Sequence, residues 1–97
     1  MDRIQAYPLV IWGAGKKGKS LSKSLVEKEI PFHWICNNPK KIGKHIYGQL
    51  LEDMDVLEQL DRPQIIIAVA SPKEQKEIRA WLEGRNLKAG EDYFFFC

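Results

Sequence analysis

A short apolar run that leads into closely spaced glycines constrains the fold of this chain more than any other feature. The stretch Leu9–Leu21 reads LVIWGAGKKGKSL, so that four apolar residues, Leu9–Trp12, come directly before three glycines and a helix-like pattern. This spacing is typical of a buried parallel strand, a tight loop and a helix whose N-terminus accommodates a phosphate. We therefore expect a first strand over Leu9–Trp12 and a first helix from about Lys16 to Glu29.

The rest of the chain alternates between apolar strand candidates and helix candidates. The run after Gln64 contains six consecutive apolar residues, which predicts a strand that is buried on both faces. Ser71, Pro72 and Glu74 then form a helix start, with a capping hydroxyl, a proline at the first position and a capping box. The predicted strands after the first are Phe32–Cys36, Gln64–Ala70 and Tyr93–Cys97.

The segment between the predicted strands Phe32–Cys36 and Gln64–Ala70 is harder to interpret. Lys44–Tyr47 lies between two glycines and fits either a short strand or an ordered loop. Asp53 or Asp55 can cap a short helix that contains Val56, Leu57 and Leu60. We therefore interpret Asp53-Met54-Asp55 as a helix start and not as a metal-binding motif.

Strands that alternate with helices indicate an α/β fold with a parallel sheet. The prediction is a single domain over residues 1–97, a Rossmann-like open parallel sheet of about four strands with helices on both faces. Leu9–Trp12 is expected at the centre. Phe32–Asn37 should lie on one side of it, Ile65–Ala70 on the other, and Tyr93–Phe96 beyond the latter.

Each glycine of the loop has an expected role. Gly13 permits a sharp exit from the strand, Gly15 lets the backbone approach a ligand closely, and Gly18 allows the helix to pack against the sheet. Lys16 and Lys17 stand in the first helical turn, where the helix dipole disfavours cations. Either these lysines neutralise a bound anion, or they point into water and the glycines only form a tight turn.

The place where a dinucleotide site usually has a ribose-binding carboxylate contains Cys36, Asn37 and Asn38 instead. The motif therefore supports the fold more strongly than it supports a ligand. The candidate ligands are a nucleotide or a nucleotide-sugar, with NAD and coenzyme A as alternatives. The predicted binding residues are Gly13, Gly15, Lys16, Lys17, Gly18, Asn37 and Ser71, with Ala70 at the rim.

Other kinds of site are not expected. The histidines and cysteines have no metal-ligand spacing, and the serines near the loop have no neighbouring base. No catalytic or metal-binding residue is predicted, and the basic, aromatic segment NPKKIGKHIYG fits a solvated loop better than a nucleic-acid site. No apolar run approaches the roughly 20 residues that span a bilayer. The two cysteines lie in apolar runs, which favours a reducing cytoplasm.

Three segments together resemble a known family: VIWGAGKKGK at the start, IPFHWICNNPKKIGKHIYG in the middle and IIIAVASPKEQKEIRAWLEGRNLKAGEDYFFFC at the end. Over nearly all of residues 7–97 the chain resembles the small Rossmann-like domain at the C-terminus of bacterial family 2 glycosyltransferases. It is similar, less closely, to the N-terminal domain of sugar acyltransferases with a GAGGHG loop. The histidine of that loop corresponds to Lys17, so no role of that histidine is transferred.

The first resemblance implies an accessory, non-catalytic domain whose partner is an upstream catalytic glycosyltransferase domain. The chain would then be a fragment or a free-standing relative. The alternative is a small regulatory module that binds a nucleotide, NAD, coenzyme A or a nucleotide-sugar. An independent NAD-dependent oxidoreductase fits least well, because the chain has only about one mononucleotide-binding half.

Overall fold

The computed structural model describes residues 8–96, which form one six-stranded sheet with helices packed against it. Apolar runs become strands and amphipathic segments become helices, as the sequence pattern predicts. The elements in chain order are β1 (Leu9–Trp12), α1 (Lys16–Glu27), β2 (His33–Ile35), β3 (His45–Ile46), β4 (Gln49–Glu52), a 3₁₀ helix (Met54–Gln59), β5 (Gln64–Ile67), α2 (Pro72–Glu83) and β6 (Tyr93–Phe95).

The spatial order of the strands is β3-β4-β2-β1-β5-β6. β1 pairs in parallel with β2 on one side and with β5 on the other, and β6 pairs in parallel with β5. The predicted α/β class, the central position of the first strand and the order of its neighbours are therefore confirmed.

The predicted number of about four strands is wrong, because the segment after β2 adds two more. β4 pairs in parallel with β2, and β3 folds back on β4 as an antiparallel hairpin. The hairpin turns at Tyr47 and Gly48, which have φ angles of 56° and 77°. Positive φ at both central residues matches the twist of a two-residue hairpin. The ring of Tyr47 stacks on Trp34 with 6.4 Å between centroids, which provides a packing partner for this turn.

The two faces of the sheet pack against different helices. Val10 and Trp12 of β1 belong to a buried cluster with Ile78 of α2 and Leu57 of the 3₁₀ helix. Ile11 points the other way, into a second cluster against which α1 packs through its partly buried apolar residues Leu21, Leu25 and Val26. Side chains alternate along a strand, so these clusters place helices on both faces, as the sequence predicted.

Several elements are shorter than the sequence suggests. The predicted strand Gln64–Ala70 ends at Ile67, since its neighbours stop there: Trp12 and Phe95 are the last paired residues of β1 and β6. β2 likewise ends at Ile35. The helix predicted to reach Glu29 ends at Glu27, and the last strand ends at Phe95.

Cys97, which we included in the last strand, lies outside the described residues. Within residues 8–96, no helix has the length and apolar character to cross a membrane.

The short helix predicted near Asp53 is present as the 3₁₀ helix, and the Asp53 carboxylate accepts a hydrogen bond from the Asp55 backbone N–H at 3.1 Å. The interpretation of Asp53-Met54-Asp55 as a helix start is therefore confirmed.

Tyr93 is expected to make the domain sensitive to alkaline pH. Its side chain is fully buried and its hydroxyl donates a hydrogen bond to Glu83 at 3.0 Å. Burial first, and then this hydrogen bond, raise the pKa of Tyr93 above its ordinary value of 10.0. The protonated Tyr93 hydroxyl therefore contributes its full stabilisation of the fold below about pH 10. This stabilisation is lost as the pH rises through the folded-state pKa of Tyr93. Urea unfolding at about pH 8 and about pH 11 measures this loss.

Tyr93→Phe is the matched control for this prediction, because phenylalanine keeps the ring and has no proton to lose. The variant should lose less stability than the wild type between the two pH values. Equal losses in the two proteins would show that other groups govern the alkaline transition.

Candidate functional site

A cleft with a volume of about 510 Å³ opens at the carboxyl ends of β1, β2 and β5. Its walls are the three loops that follow these strands, because parallel strands bring their carboxyl ends to one edge of the sheet. The lining comprises residues 12–17, residues 36–38, residues 68–71, Lys41 and Glu74.

The position of the cleft follows from the path of the chain. From β1 the chain proceeds through β2 to β4 on one side of the sheet, and it then returns to place β5 on the other side of β1. Loops that leave β1 and β5 diverge at such a reversal and leave a crevice between them. In open α/β sheets this crevice is where ligands bind.

Two of the three glycines in the loop are required by packing. Gly13 has a φ of 131°, and a Cβ at this residue would lie 2.6 Å from the carbonyl oxygen of Ala68. A Cβ at Gly18 would lie 2.6 Å from the carbonyl carbon of Gly13 and closer still to its oxygen. Any side chain at these positions would meet backbone atoms. The expected roles of Gly13 in the turn and of Gly18 in close helix packing agree with this geometry.

Gly15 differs from both, because nothing in the fold requires a glycine there. Its φ of −84° is accessible to any residue, and a Cβ would have no atom of residues 8–96 within 4 Å apart from those of its chain neighbours. Gly15 is exposed and lines the cleft. A side chain at this position would project into open space in front of the helix N-terminus, so the glycine keeps that space free.

Among residues 8–96, no side chain caps the N-terminus of α1 and accepts a hydrogen bond from its first N–H groups. The N–H groups of Lys16, Lys17 and Gly18 precede the first intrahelical bond, in which Lys19 N–H donates to the carbonyl of Gly15. In the first turn no side chain caps the helix and no acidic residue is present. Unsatisfied N–H groups and the helix dipole attract an anion, and the exposed ammonium groups of Lys16 and Lys17 act in the same direction.

The N-terminus of α2, which also borders the cleft, is capped by a side chain. The hydroxyl oxygen of Ser71 accepts a hydrogen bond from Glu74 N–H at 3.4 Å, and Pro72 has no N–H to leave unpaired. The carboxylate of Glu74 also complements the helix dipole. The two helix ends therefore differ, and the anion-attracting end of the cleft is the one at α1.

The loop is tied to β2 and to the turn that follows it. Gly13 N–H donates to the carbonyl of Ile35 at 2.8 Å, and the indole N–H of Trp34 donates to the carbonyl of Gly13 at 2.7 Å. The ammonium of Lys41 reaches across to the carbonyl of Ala14 at 3.1 Å. These bonds hold the backbone of the loop from one side of the cleft.

Hydrogen bonds orient the two side-chain amides of the turn after β2. The indole N–H of Trp12 donates to Asn37 Oδ1 at 3.3 Å, and the backbone N–H of Lys40 donates to Asn38 Oδ1 at 3.0 Å. Both donors can only donate, so each bond orients the side-chain amide with its oxygen toward that donor. Asn37 and Asn38 are exposed, and the groups that they keep available are their NH₂ donors.

The structure brings six of the seven predicted binding residues together around the cleft: Gly13, Gly15, Lys16, Lys17, Asn37 and Ser71. Gly18 lies behind the loop, against the backbone of Gly13. Sequence reasoning missed Lys41 and the contribution of the Trp12 indole. Lys41 belongs to the basic turn NPKKIG, but the sequence gives no sign that its side chain reaches Ala14.

Groups for bond-making chemistry are scarce in the described residues. Glu74 is the single carboxylate among those that line the cleft, and no histidine lines it. The contact between His33 Nδ1 and Glu52 Oε1, at 3.1 Å, lies outside the cleft. Across residues 8–96, no three His, Cys, Asp or Glu side chains come together in a way that could hold a metal ion.

Comparison with protein-family models, curated proteins and solved structures gives no match to this chain. The candidate site is therefore defined by its own geometry: an uncapped helix end, an unobstructed glycine and three lysines, Lys16, Lys17 and Lys41, around one cleft.

Proposed function

We propose that this chain is a non-catalytic domain that binds the phosphate of a nucleotide in the cleft between β1 and β5. The observation that carries the proposal is Gly15, which is free of packing and backbone constraints and leaves the N-terminus of α1 open. A phosphate that lies against the N–H groups from Gly15 to Gly18 would satisfy that terminus, and Lys16 and Lys17 would neutralise its charge.

A binding role without catalysis fits the side chains of the cleft. General acid–base chemistry uses a positioned acid and base, whereas the described lining offers only Glu74 as a carboxylate. With part of a dinucleotide site and no ribose carboxylate, we expect dissociation constants of about 10–1000 μM.

The partner that we propose is an upstream catalytic domain of a nucleotide-sugar-dependent glycosyltransferase in the cytoplasm. This part of the proposal rests on the resemblance of the sequence to the C-terminal Rossmann-like domain of such enzymes. In that setting the domain would be an accessory module, and the transfer chemistry would take place on the other domain.

A second candidate is a small regulatory module that senses a nucleotide, NAD, coenzyme A or a nucleotide-sugar. The donor groups at the turn after β2 favour it, because a cleft that recognises a particular nucleotide needs such groups. Titration with UDP-, GDP- and dTDP-sugars, NAD and coenzyme A, followed by amide NMR, compares the two candidates. Preference for a nucleotide-sugar supports the accessory role, and preference for NAD or coenzyme A supports the regulatory one.

The phosphate position is tested by removing charge from the first turn of α1. The double variant Lys16→Gln/Lys17→Gln should bind the preferred ligand about five-fold more weakly, because two partly solvated charge contacts are lost. In the wild type, amide shifts should change most at Gly13–Gly18, Asn37, Ala70 and Ser71.

Lys23→Gln/Lys28→Gln is the matched control, since it removes the same charge from the other end of the same helical segment. Screening by salt over that distance should keep its effect below about two-fold. Shift changes that cluster away from the cleft, or equal losses in the two double variants, would exclude a phosphate at the N-terminus of α1.

A further inference from the structure

The wall of the cleft formed by the turn after β2 offers hydrogen-bond donors and a positive charge. The oxygens of Asn37 and Asn38 are engaged by Trp12 N–H and Lys40 N–H, which leaves their NH₂ groups available. The ammonium of Lys41 uses one hydrogen on the Ala14 carbonyl and has two more. All three side chains line the same cleft as Gly15.

The charges of the surrounding chain reinforce this wall. From Cys36 to Gly48 the sequence contains Lys40, Lys41 and Lys44 and no acidic residue. The acidic side chain that lines the cleft, Glu74, belongs to α2, which follows β5. Because β2 and β5 flank β1 from opposite sides, Glu74 and the basic turn stand on opposite walls.

A ribose diol is a poor match for this wall. In sites that bind an unmodified ribose, a carboxylate at this position accepts hydrogen bonds from the hydroxyl groups. Here each side-chain oxygen at the same position is neutral and already accepts one hydrogen bond, so it would hold a ribose hydroxyl more weakly than a carboxylate does. A phosphate group has the opposite character, because it only accepts hydrogen bonds and is negatively charged.

We infer that the cleft selects a nucleotide with a second phosphate on its ribose, held by the amide donors of Asn37 and Asn38 and by Lys41. The inference rests on the proposed function, since the first phosphate occupies the N-terminus of α1. The ligand is thus anionic at two places, with one phosphate near Gly15 and one at the turn after β2. The ribose phosphate can be at the 2′ or the 3′ position, and the two are distinguished by experiment.

Two pairs of ligands that differ only in this phosphate test the inference by isothermal titration calorimetry. NADP⁺ and NAD⁺ differ in a 2′-phosphate, and coenzyme A and dephospho-coenzyme A differ in a 3′-phosphate. The phosphorylated member of at least one pair should bind about ten-fold more tightly, as expected for added hydrogen bonds to a charged group. The pair that shows the preference identifies the ring position.

Substitutions at the turn connect the preference to named side chains. Asn37→Asp keeps an oxygen for the Trp12 indole but adds a carboxylate, so it should favour the ligand without the ribose phosphate. Lys41→Gln should reduce the preference to about three-fold or less, because one charged contact is lost. The control Lys44→Gln removes the same charge from an exposed residue outside the cleft and should leave the preference unchanged.

The outcomes separate this inference from the proposed function. If both members of both pairs bind equally, the selection of a ribose phosphate is wrong and nucleotide binding stands. If none of the four ligands binds, the selection of a ribose phosphate is wrong, and the titration with UDP-, GDP- and dTDP-sugars decides separately whether the cleft binds a nucleotide. If the preference exists but survives Asn37→Asp and Lys41→Gln, the second phosphate does not lie at this turn and the inference is overturned.

Discussion

Replacing Gly18 by alanine is expected to destabilise the domain by about 3 kcal/mol. The new Cβ would lie 2.6 Å from the carbonyl carbon of Gly13, and neither backbone can move without separating α1 from the loop. Helix propensity alone predicts the opposite sign, a gain of up to about 1 kcal/mol for alanine within a helix. The midpoint of urea unfolding decides between destabilisation by the close contact and stabilisation by helix propensity. A loss of about 3 kcal/mol is readily measured, because a domain of this size has a stability of only about 5–15 kcal/mol.

Gly84→Ala is the matched control for this prediction. Gly84 ends α2 with a φ of −65°, and a Cβ there would be 3.4 Å from the nearest atom, the carbonyl oxygen of Ala80. That distance is ordinary contact, so stability should change by less than about 0.5 kcal/mol. If Gly18→Ala were as stable as Gly84→Ala, the close approach of α1 to the loop would not exist in solution.

Replacing Gly15 by aspartate is expected to stabilise the free domain and to abolish nucleotide binding. Aspartate is a favourable N-cap residue, and its carboxylate would meet the free N–H groups of α1 beside Lys16 and Lys17. The free energy of unfolding should rise by about 0.5–1 kcal/mol. The same carboxylate would occupy the phosphate position and repel the ligand, so affinity should fall by more than about ten-fold.

Gly15→Val distinguishes the two effects, because valine fills the space without capping the helix. It should also abolish binding, while stability stays the same or falls slightly. Calorimetry and urea unfolding on both variants provide the comparison. A Gly15→Asp variant that binds nucleotides as tightly as the wild type would show that the N-terminus of α1 is not the phosphate site.

The two glycine predictions illustrate what the sequence could and could not predict about the site. The spacing of Gly13, Gly15 and Gly18 predicts a strand, a loop and a helix, and the structure agrees. Which glycine serves packing and which keeps space for a ligand depends on what a Cβ would meet. For Gly13 that neighbour is Ala68, a residue far along the chain, and no local pattern contains this information.

The fold was predictable where long apolar runs determine it. The runs at β1 and β5 are apolar on both faces, so a central parallel pair followed directly from them. The hairpin of β3 and β4 could not be predicted with the same ease. β3 has only two residues, and the turn contains Tyr47-Gly48, with Tyr47 at positive φ, where Asn-Gly is usual. Tyr47 stacks on Trp34, and such tertiary contacts cannot be derived from the local sequence.

The side-chain orientation at the turn after β2 was likewise beyond the sequence. Two adjacent asparagines can offer oxygens or NH₂ groups, and only the positions of Trp12 N–H and Lys40 N–H decide between them. Lys41 was equally hidden, since lysines in a basic turn usually extend into water. The sequence therefore predicted where the cleft lies and seven of the fifteen residues that line it, but not which hydrogen-bonding groups the turn after β2 presents to the cleft.

The hydrogen bonds that tie the glycine loop to Trp34 and Ile35 have a consequence for the time over which a ligand stays bound. Because these hydrogen bonds fix the shape of the loop, association of a nucleotide would require little ordering of the protein and would approach about 10⁷ M⁻¹s⁻¹. With a dissociation constant of about 100 μM, the complex would then last about a millisecond. If the domain binds a nucleotide in this way, its occupancy would follow changes in nucleotide concentration within about a millisecond.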